Sequence, residues 1–183
     1  MKISSFFKHI GLVIRHKNAV FKHCCRCGII WRGLVHDLSK FTPTELFESA
    51  KYYTGYRSPI GVCRRETGMS LAWLRHKGVN KHHLEYWLDG DCEVQPLVPY
   101  QYAVECICDK IAATKIYKGK SYTPELTLEH WLRYGNRVDA NPKTMKFIET
   151  AFADMVEHGE DYVLNPDYMK ANYKRICLDN EEG

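Results

Sequence analysis

Thr42-Pro43, Thr123-Pro124, Asn141-Pro142 and Asn165-Pro166 each set a residue that can cap a helix directly before a proline. A Thr or Asn side chain accepts from the free N–H groups of a helix's first turn. Proline at the next position loses nothing, because its missing N–H would have been unpaired there. Each pair is therefore a helix start, and Thr42-Pro43-Thr44-Glu45 adds a glutamate at the capping-box position. Between these starts Val, Ile and Thr never gather into alternating strands. The chain is expected to be all-α, a single-domain helical bundle.

The remaining punctuation divides the chain further. A first helix, capped by Ser4 or Ser5, is expected to run to about Cys27, where Gly28 ends it. Its apolar positions are Phe7, Ile10, Leu12, Ile14, Val20 and Phe21. A second helix, Ile29 to about Ser39, carries His36 and Asp37, and a third runs from Thr42 to about Tyr53. Residues 54–67, with Gly55, Pro59 and Gly61, read as a loop. Helix returns from about Met69 to Lys77, Gly78-Val79-Asn80 breaks it, and Asn80 caps Lys81 to Leu88. After a turn at Asp89-Gly90-Asp91 the longest clean helix spans about Tyr100 to Tyr117, with Val104, Ile107, Ile111 and Ala112 on its apolar side. The later starts lead to helices ending near Tyr134 and His158 and to a last short one. Lys174 to Gly183 is polar and expected to fray. No repeat or linker divides the 183 residues, which suits one domain with one core.

Composition narrows the function classes. The net charge of +4 fits an anionic small molecule, but the basic residues are interleaved with acids, so a nucleic-acid binder is not expected. No apolar run reaches the length of a membrane span. The first residues lack the apolar stretch and cleavage site of a signal peptide, so a cytoplasmic location is expected, with thiols reduced. The cysteines form no zinc-ribbon arrangement, and Cys24-Cys25-Arg26-Cys27 reads as small buried helix residues.

The chemistry centres on His36-Asp37, within Gly33-Leu34-Val35-His36-Asp37-Leu38-Ser39-Lys40-Phe41. On a helix two neighbours point about 100° apart, yet both can reach one metal ion lying off the surface between them. His16 stands upstream, and His76, His82, His83 and Asp109 stand downstream. Asp109, among the apolar Ile107, Ile111 and Ala112, is costly to bury unless paired or metal-bound. A helical bundle brings such residues together because its helices face one axis. Imidazole and carboxylate suit Mn, Fe, Co, Ni and Zn alike, with Mg possible.

The order His, His-Asp, His, His, Asp resembles the HD-domain superfamily of metal-dependent phosphohydrolases, over roughly the first two-thirds of the chain. His36-Asp37-Leu38-Ser39-Lys40 and Asp109-Lys110-Ile111 look like that family's usual surroundings. HxxxV in the first helix, HDLSKF and NxHHxEYW also resemble a small uncharacterised bacterial and phage family. The HD resemblance implies a bundle of HD type, with metal-site helices over 5–118 and additional packing helices over 124–176. It implies one or two divalent ions held by His16, His36, Asp37 and Asp109, joined by His76 and either His82 or His83, with Asp37 bridging in the binuclear case. Of His9, His16 and His23, which recur every seven residues, His16 suits the family. Of the neighbouring pair, His83 is preferred. The activity implied is hydrolysis of a nucleotide or other small phosphorylated metabolite. Lys40 is a candidate catalytic and phosphate contact. Arg57, Arg64 and Arg65 are candidate phosphate contacts on a lid-like loop, and Glu85 a candidate partner to a ligating imidazole. Two rivals keep the fold: an HD-type di-iron oxygenase, and a metal-binding module without turnover that binds a nucleotide or protein partner. Trp73, Tyr86, Trp87 and Trp131 read as core, and His130 and His158 as local hydrogen-bonding residues.

Overall fold

A computed structural model describes residues 3–179. Among these residues there is no strand. The helices are α1 (Ile3–Arg26), α2 (Ile30–Val35), α3 (Pro43–Lys51), α4 (Pro59–Thr67), α5 (Leu71–Val79), α6 (Tyr100–Lys118), α7 (Pro124–Tyr134), α8 (Pro142–His158), α9 (Glu160–Val163) and α10 (Pro166–Tyr173). Short 3-10 turns lie between several of them, and a π turn follows α10.

The four expected cap–proline pairs all start helices. Asn141 accepts from the N–H groups of Lys143 and Thr144, and Asn165 from those of Asp167 and Tyr168. Thr42 acts differently: its hydroxyl donates to the Ser39 carbonyl at 2.6 Å. Glu45 does not close a capping box, because it is buried and turned toward α5, where it accepts from His76.

α6 is the axis of the molecule. Ala103 through Asp109, with Ile111 and Ala112, are all buried, because α6 is packed against α1, α2, α7, α8 and α10. A helical stretch packed on all sides must be apolar nearly all round, and Ala103–Asp109 is, except at Glu105 and Asp109. Those two are four residues apart and so lie on one face, one turn apart. Its other faces meet Trp131 of α7, Phe147, Phe152 and Met155 of α8, and Met169 and Tyr173 of α10. The helices after residue 124 therefore form the main apolar core as well as packing around the site.

Several boundaries differ from expectation. Residues 54–67 are not all loop, because Ser58-Pro59 is a further cap–proline start and α4 runs to Gly68, which closes it at φ +81°. Gly78 does not break α5; the helix continues to Val79, and the extended Asn80 ends it. Lys81 to Leu88 contains a 3-10 turn at Leu84–Trp87 instead of an α-helix. Phe7 and Ile14 are exposed, because α1 buries the face carrying Leu12, Val13, Val20 and three histidines. The expected fraying from Lys174 does not hold for Lys174–Leu178, which form the π turn with Cys177 buried; residues 180–183 lie outside the described residues. The cysteines are free thiols, with Cys24 and Cys27 buried as expected.

One close approach fixes the entry to the site. α2 crosses α1 at Gly33, where a Cβ would stand 2.8 Å from Cys24 Cβ and 3.0 Å from the Phe21 Cα. Only glycine lets the two backbones come this near.

A candidate metal centre

His36 and Asp37 do not lie within a helix. α2 stops at Val35, His36 is extended at φ −52° and ψ 128°, and Asp37 adopts the left-handed conformation at φ 53°. Asp37 is the one non-glycine residue with positive φ among the described residues. Aspartate tolerates this region better than most residues, at a cost of roughly 1–2 kcal/mol. The reversal turns both side chains toward the same point, which a continuous helix would not do.

Around that point two sets of ligand atoms share Asp37: His16, His36, Asp37 and Asp109, and Asp37, His76, His82 and His83. Within each set the atoms lie within 4.8 Å of one another. The two oxygens of Asp37 divide between the sets. Oδ2 is 3.3 Å from His36 Nε2 and 3.9 Å from His16 Nε2. Oδ1 is 3.4 Å from His76 Nε2 and 3.5 Å from His82 Nε2. Asp109 Oδ1 completes the first set, 2.9 Å from His16 Nε2 and 3.6 Å from His36 Nε2. Two ligands each about 2.1 Å from one ion stand roughly 3.0–3.4 Å apart; the 3.3 and 3.4 Å separations fall in that range, those of 2.9 and 3.5 Å lie at its edges, and those of 3.6 and 3.9 Å are longer.

The acceptors behind the imidazoles have the matching order. His36 Nδ1 donates to Glu105 Oε1 at 2.9 Å, and His76 Nδ1 donates to Glu45 Oε2 at 2.8 Å. His82 Nδ1 is 3.2 Å from the same Glu105 oxygen. Arg32 Nε donates to the other oxygen of Glu105 at 2.7 Å. A proton held on Nδ1 by a carboxylate leaves the Nε2 lone pair facing inward, the usual arrangement for metal-ligating histidine. The inward atoms His16 Nε2, His36 Nε2, Asp37 Oδ1 and His82 Nε2 are buried and make no aligned hydrogen bond. Buried polar atoms are seldom left so, and a divalent cation in each set would satisfy them. The residues present therefore fit metal.

The electrostatics follow. Burial opposes charge on His36, but Asp37, Asp109 and Glu105 outweigh it and hold its pKa well above the ordinary value. Burial also opposes Asp37 and Asp109; His36 and Lys40 for the first, Lys110 and His16 for the second, hold both well below the usual carboxylate range. Glu105 is held down at about 2: burial is overcome by His36, His82 and Arg32. His16, His82 and His83 are pushed down, chiefly by burial. The lowered values favour the neutral imidazole, the form that ligates metal.

The centre opens into a cleft of about 850 Å³. Lys40 lines it and donates to Asp37 Oδ2 at 2.5 Å. Arg57, Arg64 and Arg65 line it as well, but Arg64 and Arg65 stand on α4 and not on a loop. Glu85 is not placed behind an imidazole. It lines a small adjoining cavity with His82, His83, Lys110 and Trp131 but, among the described residues, makes no hydrogen bond to an imidazole, and Glu45 and Glu105 hold the positions expected of it. His82 and His83 both reach the second set, and it is His82 that has Glu105 behind it. His9 sits in the cleft, its ring 5.9 Å from that of Tyr53, and His23 lies 3.3 Å from the Cys108 carbonyl. Neither joins a ligand set. Trp131 is core, whereas Trp73 lines the cleft.

The residues that sequence reasoning missed are Glu45 and Glu105. Glu105 had a usable signal: it stands one helical turn before Asp109 in an otherwise apolar helix. Glu45 had none, since its sequence position is equally that of a capping residue.

The family of unknown function DUF5662 matches residues 5–154, and the chain belongs to that family. The match takes in every residue of both ligand sets and the helices through most of α8. No curated protein and no solved structure matches the chain.

Proposed function

We propose that this chain is a metal-dependent phosphohydrolase of HD-domain type, acting on a nucleotide or another small phosphorylated metabolite through two divalent ions. The observation that carries the reading is the division of Asp37, one carboxylate oxygen toward each ligand set. A bridging carboxylate between two ions about 3.5–4 Å apart is the arrangement suited to in-line displacement at phosphorus. The ordered ligands His16, His36-Asp37, His76, His82 or His83, and Asp109 support the same reading.

Bound ions would supply Lewis acidity toward a phosphoryl oxygen and acidify a water. The chain's own residues do the rest. Glu105 and Glu45 fix the tautomers of His36 and His76, and Glu105 lies 3.2 Å from His82 Nδ1. Lys40, held beside Asp37, brings a positive charge to where a phosphoryl oxygen would gain negative charge. His36 and His82 are buried behind the cleft, where the low local dielectric strengthens their contacts with Glu105.

The test is metal content, followed by turnover, on protein purified without chelator. Wild type is expected to hold about two transition-metal ions per chain. Asp37→Asn keeps the left-handed turn, which asparagine tolerates, and should hold neither; Asp109→Asn should lose one. The loaded chain should hydrolyse p-nitrophenyl phosphate or a nucleotide with Mn²⁺, Co²⁺ or Mg²⁺. Absence of metal, together with no thermal stabilisation by any added ion, would overturn the reading. Two irons with substrate-dependent O₂ consumption would replace hydrolysis with oxidation.

A further inference from the structure

The cleft holds more positive charge than one phosphate needs. It is lined by seven of the chain's 26 lysines and arginines and by three of its 22 acids. Two of those acids are the ligands Asp37 and Asp109, so Glu129 is the one remaining carboxylate on its wall. The local excess of cations equals the net charge of the whole chain, +4, before any metal is added.

These cations stand in two tiers. The inner tier is Lys40, 2.5 Å from Asp37, and Lys110, 3.5 Å from Asp109. The outer tier is Arg57, Arg64 and Arg65 on one side and Lys118 and Arg133 on the other. Trp73 measures the gap between tiers. Its ring is 5.0 Å from that of His83 and 6.2 Å from that of His76, and the Arg64 guanidinium stacks over it at 5.9 Å. Arg64 and the ligating imidazoles thus share the Trp73 ring as a common neighbour, and Arg64 itself forms no contact with a ligand carboxylate. Among the described residues, none of the five outer cations takes part in a salt bridge. The inner lysines, by contrast, are both spoken for by a ligand carboxylate. Exposed arginines without a carboxylate partner, lining one cleft, suit recognition of phosphate by forked hydrogen bonds.

We infer that the substrate carries at least two phosphate groups, one reacting at the metal centre and another held by the outer arginines. This rests on the proposed metal-held phosphoryl site. The chemical class is a polyphosphorylated small molecule, such as a nucleoside triphosphate or a bisphosphate ester; a simple monoester would leave the outer tier unused.

The test is calorimetry on the metal-loaded chain in excess Mg²⁺, so that the ligands do not strip the site. The probes are adenosine 5′-monophosphate and the non-hydrolysable bismethylene analogue of adenosine 5′-triphosphate. The analogue is expected to bind tighter by about tenfold or more, the worth of one or two charge-assisted contacts. The Arg64→Ala/Arg65→Ala double variant, altered at exposed positions only, should reduce that preference to about threefold or less, with an unchanged melting temperature. Equal affinity for the two probes in wild type, or a preference that survives the double variant, overturns the inference. The two proposals fail separately. Hydrolysis of p-nitrophenyl phosphate without any preference for the analogue removes only the second phosphate. A preference for the analogue with no hydrolysis of any ester removes only the reaction.

Discussion

Glu105 is the side chain whose replacement discriminates most sharply between a metal centre and a buried polar network. It is fully buried and touches a ligand of each set: His36 of the first at 2.9 Å and His82 of the second at 3.2 Å. Glu45 touches only His76, at 2.8 Å, in the second set. Glutamine in place of Glu105 keeps the volume but removes the charge. If its carbonyl faces the imidazoles, its NH₂ faces Arg32 Nε–H, so one of the two contacts is lost. Arg32 is partly exposed and can turn to solvent, which limits the folding cost to about 1–3 kcal/mol. Metal affinity should suffer more specifically. Loss of a carboxylate behind a ligating histidine costs about 10–100-fold, or roughly 1.4–2.7 kcal/mol per ion. Glu105→Gln should therefore weaken both ions by that amount, and Glu45→Gln only one. Chelator competition with Co²⁺ or Zn²⁺, resolving two successive affinities, reads this directly, and thermal melts of the metal-free forms remove the folding contribution. A folded Glu105→Gln that binds both ions as wild type does would refute the reasoning; so would a Glu45→Gln that weakens both equally.

Metal binding must also depend on pH with a definite sign. His36 has its pKa raised well above the ordinary 6.5 by Asp37, Asp109 and Glu105, against the effect of burial. Its charge therefore stabilises the metal-free fold fully below about pH 6.5, and that contribution is lost as pH rises through the raised value. The carboxylates act oppositely: their stabilisation is present above the ordinary carboxylate range and is lost only as pH falls toward their depressed values, about 2 for Glu105. A bound ion must displace the His36 proton, so the rise in melting temperature on adding Co²⁺ should grow from pH 6.5 upward, and calorimetry in two buffers should show proton release. Gly33→Ala should destabilise the chain by about 1–3 kcal/mol, because the new Cβ meets Cys24 and the Phe21 backbone. The same variant pushes α2 outward and should lower affinity for the His36 ion, measured by the same chelator competition; an unchanged melt and affinity would mean that the crossing of α1 and α2 has slack.

What the sequence made legible follows from how local each signal is. Asn141-Pro142 carries its own chemistry in cap and proline together, and Thr123-Pro124 through the proline alone, so α8 and α7 start where these pairs place them. α6 was legible because a helix buried on every side writes an apolar run, in which Asp109 stands out. Ser58-Pro59 has the same local grammar, yet its neighbours Gly55 and Gly61 mimic a loop, and α4 was hidden behind them. The turn at His36-Asp37 was not legible at all. Nothing in the dipeptide announces a left-handed aspartate, whose carboxylate faces His16 of α1, His76 of α5 and His82 of the segment after α5, the last two about forty residues away in sequence. Glu45 is a similar case. Its partner is His76, thirty-one residues away, and only the packing of α3 on α5 decides between a helix cap and a histidine clamp.

The fold divides its sources of stability, and that division sets what metal removal should do. The main apolar cluster draws on α1, α6, α7, α8 and α10, whereas the buried apolar residues of α3, α4 and α5, namely Ala50, Val62, Cys63 and Ala72, stand outside it. Those three helices are short, at nine residues each, and short helices owe their stability to what they pack against. α5 meets the centre through His76, which faces Asp37 Oδ1 and is clamped by Glu45 of α3. An ion joining His76 to Asp37 and His82 would tie this unit to the turn after α2 and to His82, whose Nδ1 lies 3.2 Å from Glu105 of α6, the helix that the large core holds in place independently. Chelation should loosen the α3–α5 unit and leave the rest folded. Hydrogen exchange should show amides of α3 and α5 exchanging at least about tenfold faster in the metal-free chain, through local opening, while amides in the middle of α6 and α8 keep their protection. Uniform loss of protection would mean that the core does not stand without the ions. Unchanged protection in α5 would mean that His76 holds no ion.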